Sequence, residues 1–172
     1  MKLSKRGEYA LRALIDLGIA HTAGRKMLRL QEIVEKERIP TAFLEQIFAQ
    51  LRQAGFVDGK RGKNGGYFLA KPADTISMGS VVRLIDGPLA PIGCVSQTAY
   101  EKCTCPDEEH CGLRMLMMDV RNSIADILDR YTLGQVIDIT LRKLRRDNLP
   151  IPFSEEDHGD STPAILLPLS TE

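Results

Sequence analysis

At 172 residues the chain suits one domain with an added arm, and 43% hydrophobic content supplies a core without any Trp. Its 23 basic and 23 acidic residues cancel overall, but residues 1–75 hold 14 Lys and Arg against 8 Asp and Glu, and residues 76–172 hold 9 against 15. No apolar run is long enough to span a membrane, and the start, Met-Lys-Leu-Ser-Lys-Arg-Gly-Glu, lacks the apolar core of a signal peptide. A cytoplasmic protein with reduced thiols is therefore expected. A basic half beside an acidic half suits a nucleic-acid reader with a regulatory arm, although solvated surface yields a weaker version of the same split.

Ser4 is placed to cap a helix over about Lys5–His21, with Ala10, Leu11, Leu14, Leu17 and Gly18 in helical period. Thr22-Ala-Gly-Arg breaks it, and Leu30 opens a second, short helix. Arg38-Ile-Pro-Thr reads as a tight link, because Pro40 disfavours helix at Ile39. Thr41 is expected to cap a third helix whose buried stripe is Phe43, Leu44, Ile47, Phe48 and Leu51. Ala54-Gly55 ends it. Two short strands, at Phe56-Val-Asp and Tyr67-Phe-Leu-Ala, flank Gly59-Lys-Arg-Gly-Lys-Asn-Gly-Gly66, in which Asn64-Gly65 supplies positive-φ residues for a turn. Ser77 caps a short helix from Met78 to Ile85.

The longest helix is predicted from Gly112 to about Tyr131. Leu113, Met117, Val120, Ile124, Ile127 and Tyr131 recur at 4, 3, 4, 3, 4, the seam of a helix that packs on a partner helix. An ordinary core-facing helix gives the same pattern, but the preceding segments already form a complete small domain, so a homodimer is favoured. Thr132 to Thr140 is expected to fold back near this arm, capped by Thr132 or Asp138. From Asp147 the chain turns Pro-, Ser- and acid-rich and is expected to be disordered. The predicted organisation is thus a DNA-binding unit over 1–75, a linking helix over 76–92, a cysteine loop over 93–111, a dimerisation helix with its return over 112–146, and a tail over 147–172.

Helix, helix, tight turn, helix and hairpin is the order of a winged helix-turn-helix, mainly α with a small β-hairpin wing. In that arrangement the third helix presents its N-terminal residues to base edges in the major groove. Thr41, Glu45 and Gln46 would lie there; a solvated face is the ordinary alternative, most strongly for Glu45. On the wing, Lys60, Arg61 and Lys63 stand among glycines that allow close backbone approach, suited to phosphates or the minor groove of double-stranded DNA. A nucleotide-phosphate loop is disfavoured, because no Gly-Lys-Ser/Thr ending opens a helix. Lys2, Lys5 and Arg6 add further phosphate contacts.

All four cysteines, Cys94, Cys103, Cys105 and Cys111, fall within 18 residues. In a reducing compartment such clustering points to metal or redox chemistry. Four readings are open: an iron–sulfur cluster; a structural zinc site using all four thiols, although the spacing lacks the usual paired Cys-x-x-Cys; a thiol or disulfide switch; and a bland loop. No Ser/His/Asp set or carboxylate pair suggests an enzyme. Cys111 beside His110 is the sole candidate nucleophile and a weak one, with His21 near a loop and His158 in the tail. A regulator sensing a metabolite or protein partner without a metal is the other alternative.

Three segments carry a family resemblance: Met1-Lys-Leu-Ser-x-x-x-Glu-Tyr-Ala-Leu-Arg-Ala-Leu, Ile39-Pro-x-x-Phe-Leu-Glu-Gln-Ile, and Ala54-Gly-Phe-Val-x-Gly-x-Arg-Gly-x-x-Gly-Gly-Tyr-x-Leu-Ala. Over about Met1–Ile139 the chain resembles the Rrf2 family of bacterial winged-helix regulators, of the IscR, NsrR and CymR types. The resemblance implies a dimeric, sequence-specific DNA-binding regulator with a long dimerisation helix. In cluster-binding members it implies three cysteines ligating iron–sulfur between wing and helix, here Cys94, Cys111 and either Cys105 or Cys103. The IscR-type ligand His three residues after the last cysteine is replaced by Arg114. Glu8, His110 and the remaining thiol stay open as the fourth ligand.

Overall fold

The computed structural model describes residues 2–62 and 65–154. Its helices are α1 (Lys5–Thr22), α2 (Leu30–Glu37), α3 (Thr41–Gln53), α4 (Met78–Asp86), α5 (Gly112–Arg130) and α6 (Leu133–Arg146). Its strands are β1 (Val57–Lys60) and β2 (Gly66–Leu69), paired antiparallel from Val57↔Leu69 to Lys60↔Gly66. The segment expected to turn at Asn64 lies partly outside the described residues, as does Lys63.

Local chemistry accounts for most element ends. Ser4 accepts from the Gly7 N–H at 3.0 Å, Ser77 from Ser80, and Thr132 from Gln135, whose side-chain oxygen accepts from the Thr132 N–H in return, completing a capping box. Thr41 does not cap α3. Pro40 occupies that position, and its carbonyl accepts from Phe43 and Leu44, so Thr41 is the first helical residue. Gly55, at φ 71, closes α3 by letting the Phe56 N–H reach the Leu51 carbonyl at 2.9 Å.

One apolar core is built by α1, α2, α3, α4 and α6 together with the wing. Ala10, Leu14, Leu28, Ile33, Leu44, Ile47, Phe48 and Leu51 are fully buried within it. Phe43, expected in the stripe, is instead 43% exposed, its ring edge-on to Tyr9 at 6.4 Å. It sits one position before Leu44, at the rim of the apolar face. Leu28 exchanges backbone bonds with Tyr67 at 3.0 and 2.7 Å, pinning the wing to the start of α2; a Cβ on Gly66 would strike the Leu28 carbonyl.

Two further features differ from the sequence expectation. The return helix α6 packs on α1 rather than on the arm, burying Leu133, Ile137 and Leu141 in the core and bringing Ile137 against Gly18. The segment expected to be disordered from Asp147 begins as an ordered return. Asn148 adopts φ 52 and the Leu149 N–H closes α6 on the Leu144 carbonyl at 2.9 Å. Ile151 then packs on the core, and Phe153 is 7% exposed beneath the Lys36 ammonium, which lies 5.5 Å from its ring centroid. Burying an aromatic and an Ile offsets the cost of ordering these few residues. Residues 155–172, with His158 and the acidic end of the expected tail, lie outside the described residues.

Helix α5 stands apart: no residue in it is buried. Leu113, Leu116, Val120, Ile127 and Tyr131 are 56, 55, 37, 50 and 41% exposed. Its C-terminal end is stitched to the start of α4, where Met78 donates to the Tyr131 carbonyl at 2.9 Å and Leu133 to the Ile76 carbonyl at 2.8 Å. Arg83 of α4 grips Asp129 through two bonds of 2.6 and 2.7 Å. No helix among the described residues is long and apolar enough to cross a membrane.

Candidate nucleic-acid interface and thiol centre

α3 leaves Thr41, Glu45 and Gln46 exposed; Thr41 and Glu45 stand one turn apart, and Gln46 turns further from the buried stripe. Lys60 and Arg61 are exposed at the end of the wing, where Gly62 adopts φ 108. Lys2 and Lys5 are exposed at the start of α1, but Lys5 is already engaged by Glu8 at 2.8 Å.

A further pair of cations was not singled out from the sequence. Arg29, at the N-cap of α2, and Arg52, in the last turn of α3, line one notch with Lys60, Arg61 and the backbone of Gly59, Gly65 and Gly66. Arg52 also pairs with Asp58 at 3.1 Å. Glycine backbone, a helix N-terminus and guanidinium groups are the chemistry of a phosphate contact. Three segments distant in sequence build this notch, so no local spacing announces it.

The N-terminal end of α5 carries the cysteine loop. Cys94, Cys103, Cys105 and Cys111 all line one cavity of about 330 Å³ together with Lys102 and Arg114. All four thiols are free, with Cys94 buried, Cys105 exposed and the other two half-buried. The Cys105 N–H donates to Cys103 Sγ at 3.3 Å. Burial pushes the Cys94 thiol above its ordinary range, and the neighbouring Cys103 thiol does most to push Cys105 up to about 11. As they stand, no three Cys, His, Asp or Glu side chains among the described residues converge as a single-ion site.

Polar contacts fix the loop to α5. Arg114 donates to the Cys94 carbonyl at 3.3 Å and pairs with Glu108 at 3.2 Å, Tyr100 donates to the same Glu108, and Arg121 donates to the Val95 carbonyl at 2.8 Å. His110 turns outward onto Asp107 at 2.8 Å and is 80% exposed. Glu8 lies on α1, bound by Lys5 and by Arg12 at 3.2 Å, and the Lys5 ammonium holds its carboxyl below the usual range. The structure thus brings the four thiols together and leaves Glu8 and His110 out of their cavity.

The Rrf2 profile, described as an iron-dependent transcriptional regulator, matches residues 3–139. The chain is 37% identical over 137 residues to an rrf2-like HTH-type transcriptional regulator of Rhodobacter capsulatus, covering 78% of this chain and 91% of that one. It is 32% identical over 138 residues to the HTH-type transcriptional regulator IscR of Erwinia tasmaniensis, covering 80% and 79%. Among solved structures it is similar to CymR, the global cysteine regulator of B. subtilis, with a TM-score of 0.66 and 29% identity over 81% of this chain and 98% of that one.

Proposed function

The chain belongs to the Rrf2 family of transcriptional regulators, and from that premise we propose that it is a homodimeric, sequence-specific DNA-binding regulator that reads iron–sulfur, redox or nitrosative status through its cysteine loop. The observation that carries this reading is the set of four free thiols around one cavity at the foot of α5.

On this reading the outer face of α3 meets base edges in an operator through Thr41, Glu45 and Gln46. Lys60, Arg61 and Lys63 on the wing, with Lys2 and Lys5, neutralise phosphates. The exposed stripe of α5 is covered by the same stripe of a second copy, because an apolar row of that extent is costly to leave in water. The reducing cytoplasm is the compartment in which such thiols stay available.

The donor set fits an iron–sulfur cluster. Four thiols on the lining of one cavity are the donor type and number that such a cluster takes. Cys94, Cys105 and Cys111 would hold it. When bound, such a cluster supplies a link between the thiols that responds to iron supply, oxidants and nitric oxide.

The chain's own residues offer a continuous physical route from this loop to the reading head. Arg114 and Arg121 tie the Cys94 turn to α5, and Asp129 of α5 is gripped by Arg83 of α4. Gln50 of α3 donates to the Leu84 carbonyl of α4 at 2.9 Å, and the Asp86 carboxylate of α4 accepts from the Ser4 N–H at 2.8 Å. Adjacency is not coupling; operator affinity shifts only if the two states of the loop favour different settings of α5.

Anaerobic purification, a visible spectrum and assays for iron, sulfide and zinc test the reading. A brown protein with matched iron and sulfide, whose operator affinity changes when air or nitric oxide bleaches it, is expected. A colourless protein, or one holding only zinc, overturns the cluster-sensing part. A second reading, a metabolite-sensing regulator, is favoured by a cavity of about 650 Å³ between α1, β2 and α6, rimmed by His21, Lys26, Lys71 and Asp138.

A further inference from the structure

The cluster reading leaves one chemical detail open, the fourth ligand. We propose that Cys103 fills it, so that a single loop of a single protomer supplies a complete four-thiolate set; this rests on the cluster reading above. Four protein thiolates complete the ligand set of the common two-iron and four-iron clusters.

Cys103 is half-buried on the same cavity as Cys94, Cys105 and Cys111. Its sulfur already accepts the Cys105 N–H at 3.3 Å. A backbone N–H aimed at sulfur favours the thiolate over the thiol and is a common support of cluster ligands. The same lining carries Lys102 and Arg114 beside Glu101, with Arg114 paired to Glu108.

The competing ligands are occupied. Glu8 would have to abandon Lys5 and Arg12, its partners within α1. The His110 ring meets one Asp107 carboxylate oxygen at 2.8 Å, and the His110 backbone N–H donates to the other at 3.1 Å, which turns the imidazole outward. Position 114 holds a guanidinium, which cannot ligate and instead binds Glu108 and the Cys94 carbonyl. Glu108 approaches Cys103 Sγ at 4.0 Å but is held by Tyr100 and Arg114.

One consequence separates this arrangement from ligation by Glu8: the cluster requires no atom of the N-terminal helix. Cluster loss then reaches the N-terminal helix only through α5 and α4.

The test is thiol footprinting of the anaerobically loaded full-length protein with iodoacetamide, read by mass spectrometry against the same protein stripped by chelator. Cys103, Cys105 and Cys111 are accessible enough in the stripped state for protection to be read; Cys94 is buried in either case. All three are expected to be shielded together, and Cys103→Ala is expected to lose or shift the visible chromophore. Alkylation of Cys103 at an equal rate in loaded and stripped protein overturns the proposal. So does a chromophore unchanged in Cys103→Ala, and its loss in Glu8→Gln would then name the replacement ligand. A wild-type protein without iron and sulfide removes the cluster reading itself, an outcome recognised before any footprint is taken.

Discussion

Asp16→Asn separates the electrostatics of the α1–α2 contact from its packing. Asp16 is 1% exposed, accepts from Lys36 Nζ at 2.5 Å through Oδ1, and leaves Oδ2 with no hydrogen-bond partner. The charged groups facing it are Lys36 and Glu37 of α2, with Arg12 of α1 bound to Glu37 on the far side. Burial pushes the Asp16 carboxyl from its ordinary 3.8 up to about 7, outweighing the pull of Lys36. A folded value above the unfolded one means that the group's contribution is fully present below pH 3.8 and is lost as pH rises toward 7. The loss is on the order of 1–2 kcal/mol by pH 5 and about 4 kcal/mol by pH 8. An asparagine side chain carries no such dependence.

Urea melts of both proteins at pH 5 and pH 8 give the quantity that matters, the stability difference between them. Groups such as Glu32 and Asp129, whose carboxyls are held low by Arg25 and Arg83, cancel in that difference. The Asp16→Asn protein is expected to gain about 2–3 kcal/mol on the wild type across the interval. A difference that stays flat within about 0.5 kcal/mol, or that moves the other way, refutes the reasoning and means that Lys36 keeps Asp16 ionised throughout.

Four further outcomes follow from named contacts. Phe153→Ala removes a ring that is 7% exposed and should lower stability by about 3 kcal/mol in a thermal or urea melt. Gly18→Ala places a methyl on the Ile137 side chain and should cost about 1–3 kcal/mol in the same assay, by prising α6 from α1. Arg61→Ala should weaken operator binding and reduce the slope of log affinity against log salt by about 1, measured by fluorescence anisotropy. Ile127→Glu should shift sedimentation toward the monomer without changing the far-UV spectrum, since Ile127 is 50% exposed in the chain itself.

How much was legible in the sequence depended on whether the deciding contact was local. Ser4, Ser77 and Thr132 were read as caps because a cap is decided within four residues. Thr41 was misread because Pro40, one residue earlier, took the capping position. The destination of α6 rests on Ile137 meeting Gly18, and the order of residues 147–154 on Phe153 finding Lys36, contacts that no window of sequence contains. The thiol cavity was announced by cysteine spacing, yet the choice among ligands turned on where Glu8 and His110 find their partners. Arg29 and Arg52 became visible only when the wing folded back beside α2.

The placement of the cysteine loop follows from how weakly α5 is held. With no buried residue of its own, the helix takes its direction from contacts near its two ends. At one end stand the Arg83–Asp129 fork, two backbone bonds to the start of α4, and the partly buried Leu128. At the other stand Arg114 and Arg121, each donating to a carbonyl of the Cys94 turn, and the Arg114–Glu108 pair. Of these polar contacts the Arg83–Asp129 fork is the exposed one, and a surface ion pair contributes about 0–1 kcal/mol, whereas the two arginine bonds to the Cys94 turn are part-buried. The C-terminal end adjoins α4, which touches both α1 and α3. On the proposed reading, a change of state in the cysteine loop acts on the spacing of two recognition helices in the proposed dimer only by as much as its states differ in free energy between settings of α5.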